Sequence, residues 1–306
     1  MDQIDRRSFL RAAGALSLGA VAWACAKKTP KASPSAASDA LSVQITSEPQ
    51  FAVGDTRVAF AIFRGQNPIA PTDVTARISP IGGKLTTVPV SRENVQRGSG
   101  GSQTAGTQVY DIYVVRHDFA VGTWVVEAST GGKTAQAAFQ FVDKVPEPKV
   151  GDHAIASQSP TVANHEGVDP ICTRTPQCSM HQISIADALQ AGKPTVVLFA
   201  TPEFCFSRTC GPTTDIVESV SKQYGSQVSF IHVEIFKNAD SGQKGLSSET
   251  SGAGVDANLT SPTYAQWKLG TEPFLYFIGT DGVIKDRWTG AVGADELKTR
   301  VAALIG

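Results

Sequence analysis

Two cysteines, Cys205 and Cys210, lie in the stretch Phe199-Ala-Thr-Pro-Glu-Phe-Cys205-Phe-Ser-Arg-Thr-Cys210-Gly-Pro212, between an apolar run and an expected helix start. A thiolate is stabilised where backbone N–H groups and the positive end of a helix face it, and a second thiol nearby can close a disulfide with it. The pair is therefore a candidate for thiol–disulfide exchange, in which one sulfur attacks and the other displaces the client. Cys172 and Cys178 form a second close pair. Of the three possible connectivities, sequence separation favours Cys172 with Cys178, as a structural disulfide fastening the preceding linker, and Cys205 with Cys210.

The N-terminus sets the compartment in which such chemistry is expected. Arg6-Arg7-Ser8-Phe9-Leu10-Arg11 is a twin-arginine pattern, and the uncharged run from Ala12 to Ala24 after it is too short to span a bilayer, so residues 1–25 read as an export signal. Ala22-Trp23-Ala24-Cys25 resembles a bacterial lipoprotein cleavage box, although Trp23 is bulky and Ala22 replaces the usual Leu. That resemblance implies lipidation of Cys25 and anchoring on the outer face of the cytoplasmic membrane. Ordinary cleavage nearby, or an uncleaved anchor, is the alternative. Residues 26–40, rich in Lys, Pro, Ser and Ala, suit a solvated tether. Setting Cys25 aside leaves an even number of cysteines, as an oxidising compartment favours. With 27 Lys and Arg against 28 Asp and Glu, the chain carries no broad footprint for nucleic acid, and none is expected as a partner.

Residues 41–146 alternate with period two. Strands are expected at 41–46, 57–63, 73–78, 108–115, 122–128 and 135–142, which together read as a β-sandwich with Trp124 in its core. This half resembles the small immunoglobulin-like domains of bacterial cell-surface proteins. The Gly, Ser and Thr-rich stretch Arg97 to Thr107 reads as a loop. Pro-punctuated residues 147–170 form a linker.

Residues 171–306 change character. Thr195 to Ala200 is apolar throughout, as in a strand buried on both faces, and Pro212 opens a helix to about Tyr224. An apolar strand at 228–234 follows, then a polar surface insertion from Lys237 to Leu259 and a short helix at 261–268. Phe274 to Ile278 and Val283 to Trp288 form a hairpin, and Asp295 to Ile305 a last helix. This β-α-β-α-β-β-α order, with a Cys pair after the first strand and Gly270-Thr-Glu-Pro273 before the hairpin, resembles the thioredoxin superfamily. The fold class is thus an all-β immunoglobulin-like sandwich followed by an α/β thioredoxin-like fold. The resemblance implies a cis Pro273 lying against the active cysteines.

Cys210-Gly-Pro-Thr213 matches three of the four positions of the thioredoxin Cys-Gly-Pro-Cys motif, which makes Cys210 the nucleophile. Aligning the strand exit instead makes Cys205 the nucleophile. The sequence leaves both registers open, with Pro212 favouring Cys210. The reading is a membrane-tethered extracytoplasmic thiol–disulfide oxidoreductase acting on protein thiols or disulfides, with Cys205, Cys210 and Pro273 as site residues and no cofactor. A non-catalytic binding protein with structural disulfides is the alternative. A relay role for Cys172 and Cys178, peroxide reduction, and a Cu(I) chaperone built on Cys178-Ser-Met180-His181 are weaker variants, and His232 reads as a core residue rather than a ligand.

Overall fold

The computed structural model describes residues 39–47, 50–51, 54–95, 110–249 and 256–306. The twin-arginine stretch, Cys25 and the loop Arg97–Thr107 lie outside them. In the N-terminal half the strands are β1 (Leu41–Ile45), β2 (Gln50–Phe51), β3 (Asp55–Arg64), β4 (Asn67–Ile69), β5 (Thr75–Pro80), β6 (Thr86–Val88) and β7 (Ser91–Val95). They are followed by β8 (Tyr110–Asp118), β9 (Gly122–Thr130) and β10 (Lys133–Val142). One sheet runs β1-β3-β8-β7 with β4 also on β3; the other runs β2-β10-β9-β5-β6. Between them lies a core that includes Val58, Phe60, Tyr113, Val126 and Phe141, with Trp124 buried in it as its alternating position requires.

The first sheet is buried on both faces, which a lone sandwich would not need. In β3, Val58, Phe60 and Ile62 point into the sandwich, whereas Ala59 on the opposite face joins Val95, Ile112 and Val114 in a second cluster. That second cluster belongs equally to the C-terminal half. Segment 147–184 is irregular but packed there, with Val150, Ala154 and Ile155 against the C-terminal core. Then come α1 (Ile185–Gln190), β11 (Thr195–Ala200), α2 (Cys210–Tyr224), β12 (Ser229–Glu234), α3 (Ala239–Glu249), α4 (Pro262–Gln266), β13 (Phe274–Ile278), β14 (Ile284–Thr289) and α5 (Ala294–Ile305).

The C-terminal sheet runs β12-β11-β13-β14, with β11 and β12 parallel and β13 antiparallel to β11. This is the thioredoxin-like arrangement. Successive β11 residues alternate between two cores: Val196, Leu198 and Ala200 face α2, α5 and the sandwich, while Val197 and Phe199 face α1 and α4. One expectation fails here. The polar run after Lys237 is not an extended insertion, because α3 occupies much of it. Its glycines explain how: a Cβ at Gly242 would meet the Phe204 ring and one at Gly245 the Phe236 ring, so the helix is kept bare where aromatic rings lie on it. Among the described residues no helix is long and apolar enough to cross a membrane.

The two halves meet tightly at Gly290, where φ is 75° and a Cβ would overlap the Thr46 carbonyl. Gly290→Ala is expected to lower stability by about 1–3 kcal/mol from overpacking, beyond the cost of its backbone conformation. Gly54 is the control: its φ is 53°, but a Cβ there meets open space. Equal losses of melting temperature for Gly290→Ala and Gly54→Ala would show that the seam contributes nothing.

Candidate functional site

The β11–α2 loop carries Cys205, and Cys210 is the first residue of α2. The four intervening residues curl through Arg208, whose φ of 61° lies in the left-handed region, and the Arg208 N–H donates to the Cys205 carbonyl at 3.3 Å. Thr209 occupies the N-cap of α2 but makes no side-chain cap hydrogen bond. The Cys205 sulfur does that work instead, accepting the Cys210 backbone N–H at 3.2 Å. It therefore sits where the orphan donors and the positive end of a 15-residue helix are strongest. The Ser207 hydroxyl lies 3.2 Å from the same sulfur. Cys205 is half-buried, whereas Cys210 is completely buried.

The two thiols are driven apart in acidity. Burial would raise Cys205, but hydrogen bonding from Cys210, Ser207 and the Cys210 N–H outweighs it and brings the thiol down to about 7. Burial pushes Cys210 well up, and the neighbouring Cys205 sulfur and Glu272 carboxylate push it further. Cys205 is thus the more acidic and more accessible thiol of the pair, the opposite order to the register that Pro212 favours. Arg208 is exposed, and the hydrogen bonds that stabilise Cys205 come from other groups.

The third wall comes from the loop before β13. Its Glu272–Pro273 bond is cis. The buried Glu272 accepts the Phe206 N–H at 2.9 Å through Oε1, and its carbonyl lies 3.3 Å from the Ser207 hydroxyl, which ties this loop to the cysteine loop. A Glu272 carboxylate oxygen and the two sulfurs all lie within 4.8 Å of one another, a set that could also hold a metal ion. Sequence reading missed Glu272, although its place immediately before the expected cis proline was a usable signal.

Cys172 and Cys178 are not joined. Their sulfurs are 3.8 Å apart, against a covalent S–S length of about 2.05 Å, and both are free thiols where the sequence predicts a structural disulfide. Both face histidines. Cys178 Sγ lies 3.2 Å from His181 Nε2 and 3.3 Å from His232 Nδ1, and Cys172 Sγ lies 3.6 Å from the same His232 nitrogen. Hydrogen bonding from Cys178 drives the Cys172 sulfur toward thiolate; that same bond, with burial, drives Cys178 up. His232, expected to be a plain core residue, projects from β12 on the side of Phe230, toward these sulfurs.

No protein-family model matches the chain, and no curated protein matches it. Among solved structures it is similar to a putative thiol:disulfide interchange protein DsbE from Chlorobium tepidum, at 15% identity, covering 52% of this chain and 99% of that one, with a TM-score of 0.32. A thiol:disulfide interchange protein of the thioredoxin family from Chlorobium tepidum TLS gives 16% identity, 54% and 100% coverage, and a TM-score of 0.32. At these values neither likeness bears on chemistry, and the reaction available to this chain follows from the geometry of its own sulfurs.

Proposed function

We propose that this protein is an extracytoplasmic thiol–disulfide oxidoreductase, tethered to the membrane through lipidated Cys25, with Cys205 as nucleophile and Cys210 as resolving thiol. One observation carries the reading. An accessible sulfur caps α2 through the Cys210 N–H while the second thiol of the pair is buried beside it. In the reducing direction the Cys205 thiolate attacks a client disulfide, forming a mixed disulfide and releasing one client thiolate. Cys210 then gives up its proton, attacks Cys205 Sγ and expels the second client thiolate. The client gains two electrons and the Cys205–Cys210 disulfide holds the oxidised equivalent. Pro273, on the loop that walls the site, positions the incoming polypeptide, and Phe206, 52% exposed beside the nucleophile, offers it an apolar contact. The immunoglobulin-like half packs through Ala59, Val95, Ile112 and Val114 into the core cluster that also holds Cys210.

Trapping tests this. Cys210→Ser should accumulate a mixed disulfide with a protein client, and Cys205→Ser should capture none. Capture by neither variant would favour the non-catalytic scaffold.

Glu272 is placed to take the Cys210 proton when that buried thiol attacks. Glu272→Gln is expected to prolong the mixed disulfide by roughly 10²-fold, the lower end of general-base catalysis. Alkylation of Cys205 in the free protein should change far less, because Glu272 is the smallest of the hydrogen-bonding contributions that lower that thiol. Resolution at the native rate in Glu272→Gln would remove the residue from the proton path.

A further inference from the structure

Thiol exchange at Cys205 makes no use of the Cys172, Cys178, His181 and His232 cluster. All four side chains are buried, at 5%, 3%, 0% and 0% exposure, and one ligand atom from each lies within 4.8 Å of all the others. We propose that they bind a Zn²⁺ ion in a closed, tetrahedral Cys₂His₂ site that fastens the 172–181 loop to the central sheet.

The edges of the cluster fit. Zinc–sulfur bonds of about 2.3 Å and zinc–nitrogen bonds of about 2.0–2.1 Å set tetrahedral edges of roughly 3.8 Å between sulfurs and roughly 3.5 Å between sulfur and nitrogen. The observed S–S edge is 3.8 Å, three of the four S–N edges are 3.2, 3.3 and 3.6 Å, and the remaining edges lie within 4.8 Å. A second observation fixes the tautomer of one ligand. His232 Nε2 lies 3.1 Å from the Ala200 carbonyl oxygen, an acceptor only, so Nε2 carries the hydrogen and the Nδ1 lone pair is aimed at the sulfurs. A ligating histidine is ordinarily held by such a bond through its other nitrogen. His181 points the same way for a different reason. Its Nδ1 is buried with no hydrogen-bond partner among the described residues, so the ring is a poor space-filler, and only Nε2, facing Cys178, has a role to play.

The loop that delivers the cysteines is held before any ion arrives. The Thr173 N–H and hydroxyl both donate to Glu234 at 2.8 Å. Arg174 pairs with Asp215 at 2.6 Å and Glu218 at 3.2 Å on α2, and the Ser179 N–H donates to Glu218 at 2.9 Å. The charge also balances. Two thiolates neutralise a divalent cation, whereas Cu(I) would leave a net negative charge in a dry site, which is costly. Binding forms two Zn–S and two Zn–N bonds and releases both thiol protons to solvent, and no electron moves. Four protein ligands leave no open position, so the site is structural.

The full chain, purified in reducing buffer without chelator, should retain one zinc ion through dialysis, read by mass spectrometry of the metal. Cys172→Ser with Cys178→Ser should lose it, while Cys205→Ser with Cys210→Ser should keep it. Because the first variant risks misfolding, the native chain loaded with Co²⁺ supplies an independent readout: visible bands of tetrahedral cobalt with thiolate charge transfer. Absence of metal, copper in place of zinc, zinc that departs with Cys205 and Cys210, or a six-coordinate cobalt spectrum would each overturn the site. So would a Cys172–Cys178 disulfide in the exported protein.

Discussion

Cys205→Ser should leave the native chain inert to brief treatment with iodoacetamide at neutral pH, while the unaltered chain is alkylated with a rate that rises through a midpoint near pH 7. Among the described residues Cys205 is the half-buried thiol and the other three are buried, so with Cys25 taken up by its lipid a reagent meets Cys205 first. Its thiol is depressed to about 7, so the reactive thiolate is present above that pH and is lost as pH falls through it. The midpoint, not the speed, is the signature. Against an ordinary thiol near 8.5, the thiolate fraction at pH 7 gains about 15-fold. The lower basicity then takes back about 5-fold in intrinsic nucleophilicity. A midpoint at the ordinary value would mean that the α2 N-terminus does not stabilise the sulfur. Stabilising the thiolate also favours the dithiol form, which makes the oxidised pair a better oxidant.

Arg57→Met should be the most damaging substitution remote from the sulfurs. Arg57 lies in β3 at 1% exposure, yet it reaches into the C-terminal half: Glu296 at 2.6 and 2.8 Å, the Ala291 carbonyl at 2.7 Å and the Trp288 ring beneath it. Removing one member of a buried pair leaves the other charge uncompensated, at about 3–5 kcal/mol. Glu93 makes the case sharper, because its side chain accepts the Glu296 N–H and burial, then the Glu296 charge, push its carboxyl up. A raised folded value means that the Glu93 contribution is fully present below the ordinary carboxylate range and is lost as pH rises through that raised value. The Arg57→Met deficit, measured by urea unfolding, should therefore narrow in acid, and Glu93→Gln should restore part of it at neutral pH. A deficit below about 1 kcal/mol, the scale of an exposed ion pair, would show the seam to be wet.

The strands and the Cys205/Cys210 pair were legible because their signals are local. Thr195 to Ala200 reads as a doubly buried strand because each side chain, whichever way it points, must be apolar. Cys205 and Cys210 announce themselves by type and place. The failures share the opposite cause. Helix α3 was hidden because its glycines answer to Phe204 and Phe236, rings brought to it by the fold. Pro212 favoured Cys210 as nucleophile without closing the other register, because local sequence does not show that the cap of α2 is a sulfur from the preceding loop. The Cys/His cluster was half visible in Cys178-Ser-Met180-His181, but His232 joins only through the topology that lays β12 beside that segment. Its parity was the missed clue: with Ile231 and Val233 in one core, His232 had to face the other side.

Thr173 has a consequence for traffic between the sulfur centres. Its hydroxyl donates to Glu234 beside the Cys/His cluster and accepts the Glu203 N–H from the loop that leads into Cys205. One oxygen atom is thus a common hinge pin for two segments that carry different sulfur chemistries. Loosening the first segment would slacken the second, so the setting of Cys205 depends on whether its neighbour is securely fastened.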